Sequence, residues 1–139
     1  MVRLGRSLLF FLENTILEKD MQDFRKLKVW QRAHRLTLAL YRATKGFPRE
    51  ELYGLTSQIR RAACSVCANM AEGCGRKGDR EFGRFLYIAL GSASELEYHL
   101  LLAVDLGHLD RNEYARLNRE VVEVKRMVSG LHAKLKAES

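Results

Sequence analysis

A chain of 139 residues with 47% hydrophobic side chains suits one domain around one buried core. Its formal net charge of +7, from 24 basic and 17 acidic side chains, favours anionic partners and disfavours acidic ones. A single proline and the lack of alternating apolar and polar runs between turn signals leave no room for an extensive sheet, so the composition points to an all-α fold.

Residues 1–23 read as an N-terminal extension, either a short docked helix or a disordered lead. Its apolar run, Leu8-Leu9-Phe10-Phe11-Leu12, is too short for a signal-peptide core or a membrane span, and no small-residue cleavage site follows. The extension holds three basic and four acidic side chains, so the positive excess belongs to the rest of the chain. Cys64, Cys67 and Cys74 all fall in one helix and its exit, where a disulfide framework has no separate elements to join. A reducing cytosol is the expected location, with no membrane partner.

Residues 24–137 read as four helices. The first is predicted from Phe24 to Lys45, stopped by Gly46-Phe47-Pro48, with Trp30, Ala33, Thr37, Leu40, Tyr41 and Thr44 on the inward face. The second begins between Pro48 and Leu55, with Gly54 a possible interruption, and ends near Gly73 to Gly75. The third starts with Asp79 as N-cap and runs to Gly107. Its inner stripe is Phe82, Phe85, Leu86, Ala89, Ala93, Leu96, Leu100 and Ala103, yet Tyr87, Leu90, Leu101 and Leu102 make other faces apolar too. Such girth predicts burial by a second copy, because no helix of a four-helix bundle is central. The fourth opens with the capping pattern Asp110-x-x-Glu113 and carries Tyr114, Leu117, Val121, Val124, Val128, Leu131 and Leu135 in steps of three and four. Short connections then predict an antiparallel up-down-up-down bundle.

Five features bear on chemistry. Gly73-Cys74-Gly75-Arg76-Lys77-Gly78 spells G-x-G-x-x-G, but it follows a helix where a dinucleotide site needs a strand, so a flexible turn is expected. Cys64-x-x-Cys67 is half of a zinc or redox motif set among alanines, which suits close helix packing instead. Glu95 and His99 have metal-ligand spacing, without further ligands nearby in sequence. A polar line, Gln58, Arg61, Ser65, Asn69 and Glu72, spans an arc of about 80°. With Ser92 and Glu95 it reads as a hydrogen-bonded seam in which Arg61 pairs with Glu72 or Glu95; the alternative is an acid-base pocket. The strongest functional signal is basic. Phe24 to Arg49 holds eight basic residues and no acidic one, with Arg25, Lys28, Arg32, Arg35 and Arg42 on an arc of about 100°. A second cluster, Arg76, Lys77, Arg80 and Arg84, lies at the turn between the second and third helices.

The phrases KLKVWQRAHRLTLALYRATKGFP and FPREELYGLTSQIRRAACSVCANMAEGCGRKGDREFGRFLYIALGSASELEYHLLLAVDLG are more specific than amphipathic filler. Over about Phe24 to Leu109 they resemble the small proteins encoded by intervening sequences within bacterial 23S ribosomal RNA genes and their free-standing relatives; the last helix matches in pattern only. The resemblance implies a four-helix bundle, a homopentameric ring, relatives that include nucleic-acid-associated accessory proteins, and no established reaction. It also places the usual start near Met21, making that residue an alternative initiator. The expectation is a non-enzymatic homo-oligomer without metal or cofactor that binds RNA or DNA through its basic surface. The alternatives are a protein-interaction scaffold and an enzyme using Arg61, Glu72 and Glu95.

Overall fold

The computed structural model describes residues 22–138, in which helices and their connections account for the whole fold and no strand occurs. A 3-10 turn at Phe24–Lys26 precedes α1 (Lys28–Thr44); a second, at Arg49–Glu51, precedes α2 (Leu55–Cys74). Then come α3 (Gly78–Asp105) and α4 (Arg111–Glu138). The apolar run Leu8 to Leu12 and the alternative start Met21 lie outside the described residues. Gln22 and Asp23, assigned above to the extension, are already attached to the bundle. The Gln22 amide donates to the Cys74 carbonyl at 2.8 Å, and Asp23 Oδ1 accepts from the Arg25 amide at 3.0 Å.

Pairings across the seams fix the running directions. Along α1 and α2, Arg60 Nε donates to Thr44 Oγ1 at 2.9 Å while Thr37 meets the Cys67 sulfur at 3.5 Å. Along α2 and α3, Gly73 lies against Phe82 and Phe85 while Ser65 meets Ser92 at 2.8 Å. Along α3 and α4, Gly83 faces His132 while Lys125 Nζ donates to Glu97 at 2.8 Å. In each case the number falls on one helix as it rises on the next, so successive helices are antiparallel. Arg32 on α1 reaches Glu120 on α4 and closes the bundle.

The core is mainly aliphatic, with Phe47, Phe82 and Phe85 also buried. Leu40, Ile59, Met70, Leu86, Leu96, Leu100, Leu117, Val121, Val124 and Val128 are all buried, drawn from every helix. The whole inner stripe read for α3 is buried, as are the central four positions of the α4 series. Leu90 and Leu102, read as surplus apolar surface, pack against the core, whereas Tyr87 and Leu101 are exposed.

Three local expectations need correction. The first helix breaks at Leu27, which is extended (φ −77°, ψ 116°), so Arg25 sits in a separate turn outside the α1 register. The α1 inner face is Val29, Ala33, Leu36, Thr37, Leu40 and Thr44. Trp30 is half-buried, between the Phe24 ring at 4.8 Å and the His34 ring at 4.9 Å, and Tyr41 is exposed beneath Arg60 at 4.6 Å. Ala33, Thr37, Leu40 and Thr44 are buried as expected, and Val29 and Leu36 rather than the Trp30 and Tyr41 rings complete the face. At the start of α3, Gly78 takes φ +82°, which turns the chain one residue early. Lys77 therefore holds the N-cap position without a side-chain cap, and Asp79 lies in the first turn, its charge favourably placed against the helix dipole.

Two other helix starts follow from their sequence. Pro48 introduces the 3-10 turn, and Glu51 Oε1 then accepts from the Leu55 amide at 3.2 Å, capping α2 from the preceding turn. A Cβ on Gly54 would approach that same oxygen to 2.6 Å, so glycine is what leaves room for the cap. Glu51 Oε2 also meets His108 Nε2 at 2.9 Å, tying the α1–α2 connection to the α3–α4 connection. The Leu55 amide, and after it His108, holds the Glu51 carboxyl below its ordinary value. At α4, Asp110 Oδ1 accepts from the Glu113 amide at 2.8 Å, the cap that the sequence pattern predicts.

Candidate nucleic-acid interface

The antiparallel order brings the start of α1, the end of α2 and the start of α3 to one end of the bundle. Arg25, Lys28, Arg76, Lys77, Arg80 and Arg84 therefore share a pole, although they come from two separate sequence clusters. Within it Arg25 pairs with Asp23 at 3.2 Å and Arg76 with Glu72 at 2.9 Å. Arg84 pairs with Glu81 at 3.2 Å and lies 4.5 Å over the Phe85 ring. Lys28, Lys77 and Arg80 are exposed with no carboxylate partner among the described residues.

The rest of the α1 stripe lies along the flank facing α4. There Arg32, Arg35, Arg42 and Arg116 stand with Glu120 around a groove of about 470 Å³ whose apolar lining is Leu36, Ala39 and Leu117. Arg35 and Arg42 are exposed and unpaired among the described residues. Arg32 is not a free cation. Its Nε and Nη2 donate to the two oxygens of Glu120 at 2.9 and 3.1 Å, and Glu123 lies 3.9 Å away. The bond from Arg32 draws the Glu120 carboxyl below its ordinary value, and the same contact raises Arg32. Sequence reading missed Arg116, which pairs with Glu113 on its own helix, because only the fold brings α4 alongside α1.

The polar seam is real only in its middle. Ser65 Oγ meets Ser92 Oγ at 2.8 Å, and Asn69 Nδ2 donates to the Ser65 carbonyl and hydroxyl at 2.8 and 3.0 Å. Gln58 is half-buried on the same helix. The expected pairing of Arg61 is overturned: Glu72 binds Arg76 and Glu95 binds His99, at 2.9 and 3.1 Å, while Arg61 is exposed. Eleven residues separate Arg61 from Glu72, roughly 16 Å along a helix and beyond side-chain reach. Arg61, Glu72 and Glu95 are thus not gathered into a pocket.

Nor do the remaining motifs converge. Gly73-Cys74-Gly75-Arg76-Lys77-Gly78 is the end of α2 and its turn into α3, as expected of an inter-helix connection. Gly73 serves packing, since a Cβ there would stand 2.8 Å from Phe85 Cβ. Cys64 is exposed beside the Tyr41 hydroxyl at 3.4 Å, Cys67 is half-buried and Cys74 is buried. Burial raises the Cys67 thiol and pushes the Cys74 thiol up to about 11. Among the described residues no three of His, Cys, Asp and Glu are grouped to hold a metal, and no helix is long and apolar enough to cross a membrane.

The molecule is thus an antiparallel four-helix bundle with an arginine groove on one flank and a basic pole at one end. Its residues 25–130 match the 23S rRNA-intervening sequence protein family, and the chain belongs to that family. A solved structure with a similar fold is a protein of unknown function from the S23 ribosomal protein family of Bacteroides thetaiotaomicron. The two share 22% identity at a TM-score of 0.68, over 75% of this chain and 97% of that one. No curated protein matches the chain. The family carries no indication of an enzymatic activity.

Proposed function

We propose that this protein is a non-enzymatic, cytoplasmic nucleic-acid accessory protein that works as a homo-oligomer, a pentamer in keeping with its family resemblance. The observation that carries the reading is the placement of unpaired basic side chains: Lys28, Lys77 and Arg80 at one pole, with Arg35 and Arg42 along the adjoining groove. Solvated cations without carboxylate partners are the ones that gain most from phosphate, because nothing must be displaced to bind it. Arg25, Arg32, Arg76 and Arg84 already hold carboxylates and contribute less.

Phosphate contacts position a nucleic acid without reading its bases, so RNA and DNA of any sequence should bind similarly. Titration of fluorescent single strands and duplexes against salt tests this. Each contact contributes a slope in log salt of about −0.7 for single strands and −0.9 for duplex. Changing Lys28, Arg35, Lys77 and Arg80 together to Gln should flatten the slope by roughly three units and leave helicity unchanged. Failure of the parent to bind either nucleic acid at low salt would overturn the proposal and leave a protein-interaction scaffold.

A further inference from the structure

Eight of the exposed large apolar side chains fall into two patches on different sides of the bundle. Leu38, Tyr41, Leu52 and Tyr53 border the outer seam of α1 and α2, and Tyr87, Ile88, Tyr98 and Leu101 lie along the outside of α3. Tyr53 is 92% exposed and Tyr87 66%, an arrangement costly to leave facing water and typical of an interaction surface.

The patches differ in shape and in charge. The first is concave: Tyr41, Leu52, Tyr53, Thr56, Ser57, Arg60, Arg61 and Cys64 line a groove of about 440 Å³ that contains two arginines and, among the described residues, no carboxylate. The second is a ridge. Tyr87, Gly91, Ser94, Tyr98 and Leu101 follow one another in steps of four and three, the spacing that presents one straight seam to another helix. A Cβ on Gly91 would meet nothing within 4 Å, so the ridge has an open notch between its tyrosines. From Phe85 to Asp105 α3 holds Glu95, Glu97 and Asp105 and neither lysine nor arginine; Lys125 of α4 holds Glu97 and His99 holds Glu95, so the carboxylate without a partner among the described residues is the exposed Asp105.

We infer that the α3 ridge of one copy seats in the Tyr41–Arg61 groove of a second copy, a heterologous contact between two different faces. This rests on the self-association proposed above and assigns its surfaces. The occupant is a second copy because the chain carries both halves: an aromatic ridge whose last turn carries the exposed Asp105, and a groove of aromatic residues and arginines, among them Arg61, unpaired among the described residues. The Tyr98 ring supplies the protruding group, and the Asp105 carboxylate supplies the charge opposite to that of the Arg61 guanidinium. Because the two faces differ, each copy keeps one free face after pairing, so assembly continues copy by copy and ends only where the rotation between neighbours closes a ring.

The experiment is light scattering on two variants with exposed substitutions, Tyr98→Asp on the ridge and Tyr53→Asp with Arg61→Glu in the groove. Circular dichroism verifies that each keeps its helices. Each variant alone should fall to the mass of one 16.0 kDa chain. Mixed together they should form a discrete two-chain species, since one intact ridge then meets one intact groove. Cys64 gives an independent readout: its thiol should label slowly in the parent assembly and rapidly in the Tyr98→Asp variant. A monomeric parent would overturn self-association and this inference together. An assembled parent whose variants keep full mass, with Cys64 labelling unchanged, would overturn the interface alone. Variants that dissociate yet fail to combine when mixed would overturn the heterologous pairing.

Discussion

Between α2 and α3 the backbones approach on small side chains, and the polar atoms at the contact bond to one another, as Ser65 does to Ser92 at 2.8 Å. Gly73 leaves so little room that a Cβ would sit 2.8 Å from Phe85 Cβ. Between α1 and α4 the closing contact is made by long charged side chains, with the Arg32 guanidinium spread over Glu120, and an open groove of about 470 Å³ remains beside it. One seam is specified by volume and the other by charge. Volume is unforgiving because packed interiors cannot deform cheaply, whereas a half-exposed ion pair loses much of its energy to solvent screening. The charged seam is also where arginines remain available, so the looser contact is the one with capacity for a ligand.

Substitutions should separate the two seams. The largest effect is expected at Gly73→Ala, whose added methyl forces Phe82 and Phe85 to shift and should cost about 1–3 kcal/mol in urea denaturation. Ala39→Leu, which extends into the α1–α4 groove, is the matching insertion on the other side and should change stability by less than about 0.5 kcal/mol. Equal losses at the two positions would remove the distinction. Next comes the serine pair. Ser65→Ala should cost about 0.5–1.5 kcal/mol, because it also strips Asn69 of a bond at 3.0 Å. A double-mutant cycle with Ser92→Ala isolates the direct term, and additivity would show that the two hydroxyls do not interact.

What the sequence discloses follows the range of each interaction. The α3 stripe and the Asp110 cap depend on neighbours within a few residues, and both are legible. The α1 face is legible at Ala33, Thr37, Leu40 and Thr44 and misread at Trp30 and Tyr41, because large aromatic rings look like core. Trp30 and Tyr41 instead line the flank toward α2, and no local pattern says from which side that neighbour arrives. The basic stripe shows the same limit. All of its members look equivalent at 100° per residue, yet Arg32 is consumed by a carboxylate 88 residues away while Arg35 stays free. Arg116 joins the groove from another helix and leaves no signal in the α1 sequence. A sequence thus displays its cations, and the fold decides which of them remain unpaired.

The smallest expected effect lies in that ion pair and is best read through pH. The bond from Arg32 holds the Glu120 carboxyl below its ordinary value, and Arg126, followed by Arg32, does the same for Glu123. A depressed carboxyl stabilises the fold above its unfolded pKa and loses that contribution as pH falls through the folded one, because protonation then binds more tightly to the unfolded chain. Arg32→Gln should therefore cost no more than about 1 kcal/mol at pH 7, the range of partly exposed pairs. As the pH falls from 7 toward 3 the gap between parent and variant should narrow, since protonating Glu120 removes the carboxylate that Arg32 holds. Urea midpoints at pH 7 and pH 3 provide the measurement. A gap that persists undiminished at pH 3 would mean that Arg32 acts by packing its aliphatic stem against Leu36 and Leu117. The seam between α1 and α4 would then be governed by volume after all, and the contrast between the two seams would be lost.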